Sequence, residues 1–442
     1  MITKYHLILT AASAALIAGT SRAGDSPLFV PQWLGAQYTL VDQHQSALHS
    51  PYAGALSLRP AGDTARSNTF GAYFGVALPG HLQYYFDVEM FKGTAVSQAT
   101  GLGGFVNGDV VHAGSSLSHR AYVARRYLRW TFPLGGADAP VTRAQDQLPD
   151  TESARQIEVK LGKLAVSDDF DRNRYADGAR SQFLNWSLLN NTAWDYAADT
   201  RGYTSGLMVG WITPSWSLRY GIYEMPAQAN GPTLVDSLGR ARGQQIELTL
   251  QRSPEGAVLR LLVYRNIASM GSYREAIAHA LAHGSVPDIT ADDRPGRHKT
   301  GYAINGELPL ADDGDTGVFV RLGWNDGRTE SFAYTEVDRT ASLGVQVSGI
   351  HWGRPGDHVG LGVAIDGLSA DHHDYLALGG SGFVLGDGAL RYGTERIAEL
   401  YYSLALGAHV TLSPDLQWIA NPGYNRDRGP VAFAGLRAHL QF

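Results

Sequence analysis

Cysteine is absent from all 442 residues of the chain, and neither sign of charge dominates. Without cysteine there is no disulfide and no thiolate zinc site, so hydrogen bonds and side-chain packing must hold the fold together. The formal net charge of −6 shows none of the basic excess that marks nucleic-acid-binding proteins. We therefore expect no nucleic-acid partner.

Long apolar runs are also missing, except at the N-terminus. Lys4 precedes the apolar stretch 7–18, and Ser21-Arg22-Ala23 places small residues at positions −3 and −1 of a cleavage site. This pattern predicts a secretory signal peptide over residues 1–23, and a mature chain that starts near Gly24. Residues 24–442 contain no run of the ~18 apolar residues that a spanning helix needs. They are expected to form a single domain, either secreted and soluble or a membrane barrel.

Alternation of apolar and polar residues decides between these two classes. In residues 82–90, for example, Leu82, Tyr84 and Phe86 alternate with Gln83 and Asp87. The chain also ends on a strand pattern whose last residue, Phe442, is aromatic. About sixteen such runs have the length of tilted membrane strands. They lie near 33–41, 68–78, 82–92, 120–132, 156–166, 202–212, 216–225, 242–252, 258–266, 299–310, 316–325, 334–348, 357–366, 395–406, 409–420 and 431–442.

The connections between these runs alternate in length. Tight turns such as Pro79-Gly80-His81 and Thr213-Pro214-Ser215 alternate with long segments near 42–67, 93–119, 167–201, 226–241, 267–298 and 367–394. Outer-membrane barrels have short turns on the periplasmic side and long loops outside. The prediction is an all-β fold: a transmembrane antiparallel β-barrel of about 16 strands with long external loops. The long connection 133–155, on the periplasmic side, is interpreted as a flexible excursion, and residues 273–282 are expected to form a helix.

The alternation also defines which side chains face the lumen. The inward set carries both signs of charge in similar numbers, which favours a polar neutral solute over an ion filter. The alternative is that these residues pair with one another and hold the wall together. The set comprises Asp87, Glu89, Arg125, Arg129, Glu158, Lys160, Arg219, Glu247, Arg260, Glu307, Arg321, Glu399 and Arg437.

The third long segment, 167–201, is expected to fold into the lumen and narrow it. It holds Trp186 and Trp194 among many Asp, Asn and Arg residues. Aromatic faces stack on the C–H surface of sugars, and planar polar side chains bind hydroxyl pairs, so this composition suits a sugar. The alternative is an external cap packed on the barrel rim.

Other groups of chemically active residues give weaker signals. His279 and His283 have metal-ligand spacing on the expected helix, but no third ligand follows, which favours a solvated helix face. His372-His373-Asp374 is interpreted as a polar loop tip. There is no G-x-S-x-G elbow and no P-loop. We expect no metal site, and these patterns leave open a Ser-His pair on the barrel wall, which needs no local motif.

Several motifs resemble the OprB-type carbohydrate-selective porin family of bacterial outer membranes. The most specific are two loop signatures, Ala193-Trp194-Asp195-Tyr196-Ala197-Ala198-Asp199-Thr200-Arg201-Gly202-Tyr203 and Asn421-Pro422-Gly423-Tyr424-Asn425-Arg426-Asp427-Arg428-Gly429-Pro430. Further matches are Val159-Lys160-Leu161-Gly162-Lys163, Asp169-Phe170-Asp171 through Tyr175-Ala176, Gln182-Phe183-Leu184-Asn185-Trp186, Trp352-Gly353-Arg354-Pro355 and Tyr392-Gly393-Thr394-Glu395. The resemblance extends over the mature chain from about residue 34, and is looser at 42–67 and 93–119.

The resemblance implies a sixteen-stranded porin for passive, selective diffusion of small carbohydrates, monosaccharides above all, into the periplasm. It also implies no cofactor and no catalytic residues. Outer-membrane lipids would surround the barrel, and the protein would be a monomer or a homotrimer. Alternatives are a general porin for small polar solutes, or a barrel adhesin or enzyme without open conductance. The loop signatures and the facing wall supply the candidate constriction residues: Arg125, Arg129, Glu158, Asp171, Arg174, Asn185, Trp186, Trp194, Asp195, Asp199, Arg201, Tyr424, Asn425 and Arg428.

Overall fold

Sixteen strands form one closed antiparallel barrel, in which the first strand pairs with the last. This confirms the predicted fold class and strand number. The computed structural model describes residues 27–110, 119–253 and 255–442, so the signal peptide predicted at 1–23 lies outside it. The barrel strands are β1 (Gln32–Gln45), β2 (Asp63–Leu78), β3 (Leu82–Gly93), β4 (Tyr122–Pro133), β7 (Gln156–Leu164), β8 (Thr204–Ile212), β9 (Trp216–Tyr223), β10 (Arg242–Gln251), β11 (Val258–Met270), β12 (Arg294–Ala311), β13 (Thr316–Asn325), β14 (Arg339–Ser348), β15 (His358–Gly367), β16 (Glu395–Ala405), β17 (Val410–Ala420) and β18 (Val431–Gln441).

Two further strands, β5 (Asp138–Val141) and β6 (Asp150–Ser153), pair with each other between β4 and β7. The interpretation of 133–155 as a flexible excursion is therefore wrong. We call residues 134–155 the periplasmic hairpin. The predicted strand at 334–348 begins only at Arg339, because residues 334–338 belong to the loop before it.

The described ranges contain three α-helices, all of them in the external loops. They are α1 (Trp186–Leu189), α2 (Tyr273–His283) and α3 (Ala370–Ala377). Helix α2 confirms the helix predicted at 273–282. Short 3-10 turns lie at Val96–Ala99, Val166–Asp168, Asp312–Gly314, Gly349–Trp352 and Pro422–Tyr424. Among the described residues, no helix is both long enough and apolar enough to cross a membrane.

The two faces of the barrel wall differ as the period-2 pattern requires. In β10, for example, Ile246 is 43% exposed on the outside while its neighbour Glu247 is 2% exposed inside. The outward positions carry mostly leucine, valine, isoleucine and aromatic residues, which suit a lipid environment. The charged set predicted to face inward does so, because its members share the parity of the buried positions.

The barrel closes at the start of β1, where a glycine is needed. The pairing of β1 with β2 shifts register between Trp33 and Gly35. Ala36 and Phe442 then exchange backbone hydrogen bonds of 3.1 and 2.9 Å. A Cβ added at Gly35 would lie 2.6 Å from the carbonyl oxygen of Phe442, so a side chain there would force the two ends of the sheet apart.

The external helices α2 and α3 pack against each other and bury one of the loop histidines. His372 is fully buried, its ring stacks on Tyr273 with centroids 4.3 Å apart, and its Nδ1 lies 3.0 Å from Asp338. The interpretation of His372 as part of a polar loop tip is therefore wrong. His279 and His283 lie on the exposed face of α2, as expected. The described residues contain no group of three or more potential metal ligands.

Candidate functional site

The third external loop, residues 165–203, crosses the barrel interior from β7 to the opposite wall. The backbone N–H groups of Leu184 and Asn185 donate to the Glu399 carboxylate on β16, at 2.5 and 2.9 Å. The Asn185 side chain caps α1 by accepting from Ser187 N–H at 3.0 Å. Its amide nitrogen donates to Gln417 on β17 at 2.9 Å. These bonds hold the middle of the loop against the opposite wall of the barrel.

A second set of buried contacts fixes the middle of the loop to β13. The guanidinium of Arg321 is fully buried and donates to the carbonyl oxygens of Leu188, Asp171 and Ala176 at 2.8 to 3.0 Å. Its Nε also lies 2.9 Å from the Asp171 carboxylate. One wall arginine therefore holds three points of the loop. Buried polar groups that are paired with several points of the chain in this way define a single arrangement of it.

The crossing loop leaves an open cavity of about 610 Å³ beside β2, β3, β4 and β7, which we call the main cavity. The wall contributes Glu89, Tyr122, Arg125, Tyr127 and Lys160. The loops contribute Asp109, Asp168, Arg172, Asp177, Arg180, Trp186, Tyr196, Arg201, Tyr203 and Tyr334, among others. This volume lies within the range of small-molecule sites.

Charges around the main cavity are balanced. Five basic side chains and five acidic ones line it, so it presents no net charge to a solute: Arg125, Lys160, Arg172, Arg180 and Arg201, against Glu89, Asp109, Asp146, Asp168 and Asp177. Several are paired. Arg125 contacts Asp168 at 2.7 Å, and Arg180 contacts Asp109 at 2.8 Å. Such a lining offers many donors and acceptors without the single-sign ring of an ion filter.

Two loop carboxylates in the cavity differ in their pKa. Burial raises the pKa of Asp168, but the charge and hydrogen bonds of Arg125 outweigh it, so the pKa of Asp168 is lowered overall. Burial raises the pKa of Asp177 to about 6, although Arg172 lies 2.9 Å away and opposes the shift. Asp168 is therefore a permanent anion near neutral pH, whereas Asp177 changes charge within the physiological range.

Aromatic rings form the external part of the cavity. The Trp186 ring lies 5.2 Å from Tyr334, and Tyr196 lies 5.5 Å from Tyr334, measured between ring centroids. The guanidinium of Arg201 stacks over Tyr122, 4.2 Å from its ring centroid. Flat apolar faces therefore stand next to charged hydrogen-bonding groups.

A smaller cavity of about 220 Å³, the lower cavity, lies toward the periplasmic ends of β8 to β11. Its lining includes Arg219, Glu247 and Arg260 from the wall. Asp168 and Arg172 line both cavities. These two residues therefore stand at the boundary between the external and the periplasmic halves of the lumen.

The periplasmic hairpin enters the lumen from the other end. Asp146 lies 3.5 Å from Arg125, and Glu152 lies 2.5 Å from Arg129. Leu148 is buried, and its N–H donates to the hydroxyl of Tyr85 at 3.1 Å. The tip of the hairpin, Gln145 to Gln147, lines the main cavity. The cavity is thus bounded by inserted chain on both its external and its periplasmic side.

Comparison with known proteins matches residues 82–442 to the carbohydrate-selective porin, OprB family. The chain belongs to this family. It is a carbohydrate-selective porin of the bacterial outer membrane. The match begins at residue 82, so it covers less of the N-terminal region than the resemblance from about residue 34. No curated protein matches the chain significantly.

Two solved structures show the same fold. OprB of Pseudomonas putida superposes with a TM-score of 0.69 at 17% sequence identity, covering 93% of this chain and 94% of its own. The outer membrane channel DcaP of Acinetobacter baumannii superposes with a TM-score of 0.50 at 10% identity, covering 95% of this chain and 100% of its own. At these identities the likeness concerns the fold alone.

Within this OprB-family barrel, three of the candidate residues line the main cavity: Arg125, Trp186 and Arg201. Arg129 and Glu158 form an ion pair of 2.5 Å on the wall beside the periplasmic hairpin, where Glu152 joins them. They lie away from both lumenal cavities. Arg129 therefore links the wall, through Glu158, to the hairpin, through Glu152.

The other candidates fix loops to one another or to the wall. The Asp195 carboxylate accepts from Phe332 and Ala333 N–H, and lies 3.4 Å from Lys299. Trp194 is 2% exposed and packs on Phe170 and Tyr196. The members of this group, none of which lines either lumenal cavity, are Asp171, Arg174, Asn185, Trp194, Asp195, Asp199, Tyr424, Asn425 and Arg428.

The loop signature at residues 421–430, in the last external loop, shows how such anchoring works. Asn425 donates to Asp387 at 3.0 Å, and Arg428 pairs with the same carboxylate. The hydroxyl of Tyr424 donates to the carbonyl oxygen of Glu336 at 2.8 Å. The motif therefore ties the last external loop to the loops before β14 and β16.

Sequence reasoning missed several residues that line the main cavity. Asp168, Arg172 and Arg180 lie in the segment singled out at 167–201, but nothing in their pattern distinguished them from the anchoring residues beside them. Tyr334 and the hairpin tip reach the cavity only through tertiary packing, and no local signal points to them.

Proposed function

We propose that neutral monosaccharides cross the barrel through the main cavity, between Asp168 and Arg172, and then through the lower cavity. The observation that carries this path is the balanced charge of the main cavity next to an aromatic surface. Paired charges present donors and acceptors to sugar hydroxyls. Trp186 and Tyr122 offer aromatic surface to the apolar side of the ring.

Movement along this path is passive, down the concentration gradient of the sugar. It requires no catalytic residue, metal or cofactor. Binding must be weak, because a solute held tightly at the boundary of the two cavities would stop the flux of the next one. Each barrel encloses its own path, so the proposal applies to a monomer and to a homotrimer alike.

The test is block of single-channel current in planar bilayers by an aldohexose added on the external side. Wild-type protein should conduct ions, and the sugar should interrupt the current. Arg172→Ala should weaken the block about tenfold, because a charge-assisted hydrogen bond contributes roughly 1.5–3 kcal/mol. Trp186→Ala should weaken it about fivefold through loss of the stacking surface, which is worth about 1 kcal/mol.

Arg240→Ala is the matched control. Arg240 pairs with Asp236 on an exposed loop, with 71% and 90% of their side chains accessible, and this variant should leave the block unchanged. Equal block in wild type, Arg172→Ala and Trp186→Ala would refute the proposed path. A neutral amino acid that blocks as well as the hexose would instead favour a general porin for small polar solutes.

A further inference from the structure

Basic side chains are distributed asymmetrically on the outward face of the barrel. Passage of sugar through the lumen does not depend on this distribution. Basic side chains on outward positions lie toward the external ends of their strands. The periplasmic halves of the sixteen strands, all within the described residues, have no lysine or arginine on outward positions. The external ones include Arg66, Lys92, Arg126, Arg265, Arg339 and Arg396.

A groove interrupts the apolar wall on β16, β17 and β18. Its volume is about 390 Å³. It is concave because three outward positions hold only a methyl group, while the larger side chains beside them project into the surrounding lipid. The small residues are Ala398, Ala432 and Ala434, and the large ones are Leu400, Leu416 and Trp418.

The strand register places these residues side by side. Ala398 pairs with Trp418, which pairs with Ala432 on the next strand. Leu400 pairs with Leu416 in the same way. The groove therefore runs across three adjacent strands on the membrane-facing side, where the solvent is hydrocarbon.

Arg396 stands at the external end of this groove. It lies two residues before Ala398 on the same face of β16, and pairs across the sheet with Ala420. Arg396 is exposed, and no carboxylate of the described chain lies within ion-pair distance of it. By contrast, Arg66 on the outward face of β2 is neutralised by Asp42 at 2.6 Å. Arg396 thus has an uncompensated charge directly above an apolar groove.

We propose that this face binds a phosphate-bearing lipid of the external leaflet, with an acyl chain in the groove and a phosphate on Arg396. A guanidinium binds phosphate oxygens bidentately, and a long arginine side chain reaches from the apolar band to the head-group level. The other outward basic residues also lie in the external halves of their strands, where they attract anionic head groups of the same leaflet. The absence of basic residues at the periplasmic end restricts the site to one leaflet.

The test measures lipid retention by native mass spectrometry of the folded, full mature protein in detergent. The probes are bis-phosphorylated lipid A and the same lipid with its phosphates removed. Wild-type protein should retain the phosphorylated lipid at least tenfold better. Arg396→Ala should lower retention about tenfold, and Ala432→Phe, which fills the groove, should lower it without changing any charge.

Each variant has a matched control on another part of the wall. Arg265→Ala removes an outward arginine from β11, and Ala341→Phe enlarges an outward alanine on β14; both should retain lipid within twofold of wild type. Folding of every variant is checked by heat-modifiable gel mobility. Arg396→Lys, which keeps the charge, should bind between wild type and Arg396→Ala.

Three results would overturn the proposal. The first is equal retention by wild type and Arg396→Ala. The second is equal retention of the two probes by wild type. The third is chemical cross-linking of two copies of the chain through the groove, which would assign this face to protein contact.

Discussion

The third external loop and the periplasmic hairpin both enter the lumen, but they are held there by different kinds of bond. The loop offers backbone groups: its N–H groups donate to Glu399, and its carbonyls accept from Arg321. The hairpin offers side chains: Asp146 and Glu152 pair with arginines of the wall. Wall residues thus hold the loop largely through its backbone, and they hold the hairpin largely through its side chains, with one backbone bond from Leu148 N–H to Tyr85.

This difference has a consequence for how each segment tolerates change. A loop held largely by its backbone depends on few of its side chains, chiefly anchors such as Asn185 and Asp195, so its cavity-lining residues are free to vary with the solute. A hairpin held by ion pairs depends on particular carboxylates. We therefore expect the loop to keep its path when its cavity-lining residues are substituted, and the hairpin to shift when Asp146 or Glu152 is substituted.

Substitution of Arg321 should have the largest effect on conductance and on sugar block. Arg321→Leu removes three hydrogen bonds to the loop and leaves Asp171 as a buried carboxylate without its ion-pair partner. Breaking a buried pair costs about 3–5 kcal/mol. The loop should detach, single-channel conductance should rise severalfold, and sugar block should be lost. Hydrogen exchange of residues 170–195 should rise with it. A conductance equal to that of Arg240→Ala would show that the loop does not depend on this anchor.

Removal of the periplasmic hairpin should have a smaller effect on conductance. Ala154 N–H donates to Ala137 at 2.9 Å, so residues 138–153 can be replaced by two glycines with little disturbance of the flanking chain. Arg129 keeps its partner Glu158. Conductance should rise less than in Arg321→Leu, and the thermal midpoint should fall by only a few degrees. An unchanged conductance would mean that the hairpin does not restrict the path.

A change of pH should distinguish the two segments further. As the pH falls through about 6, Asp177 in the loop becomes protonated and Arg172 loses its counter-charge. The channel should then favour anions more at pH 5 than at pH 7, as measured by the reversal potential in a salt gradient. Asp177→Asn should remove most of this difference and behave at pH 7 as wild type does at pH 5. An equal pH response in Asp177→Asn would assign the effect to another group.

The alternation of side chains was sufficient to predict all sixteen barrel strands, because each strand meets lipid on one face and the lumen on the other. The same reasoning failed for the periplasmic hairpin. Strands β5 and β6 have four residues each and no buried face of their own. Arg125 and Arg129, which lie on β4 outside the hairpin, hold the two strands in place. Composition alone therefore predicts a flexible segment here.

The candidate site shows a second limit of sequence reasoning. Trp186 and Trp194 are equivalent in sequence terms, as aromatic residues in a polar loop. Trp186 faces the main cavity, whereas Trp194 is buried between Phe170 and Tyr196. A residue that anchors the loop and a residue that faces the solute are of the same chemical types, and only the path of the chain separates them.

The third loop also has a mechanical meaning. It joins β7 and β8 to β13 and β16 through the interior, and so acts as a cross-brace along a diameter of the barrel. An empty cylinder of sixteen strands can flatten when the surrounding bilayer presses on it sideways. A braced cylinder transmits that load through the buried bonds of Arg321 and Glu399. The covalent length of the loop then sets the width of the passage. This width should not change with the lateral tension of the membrane.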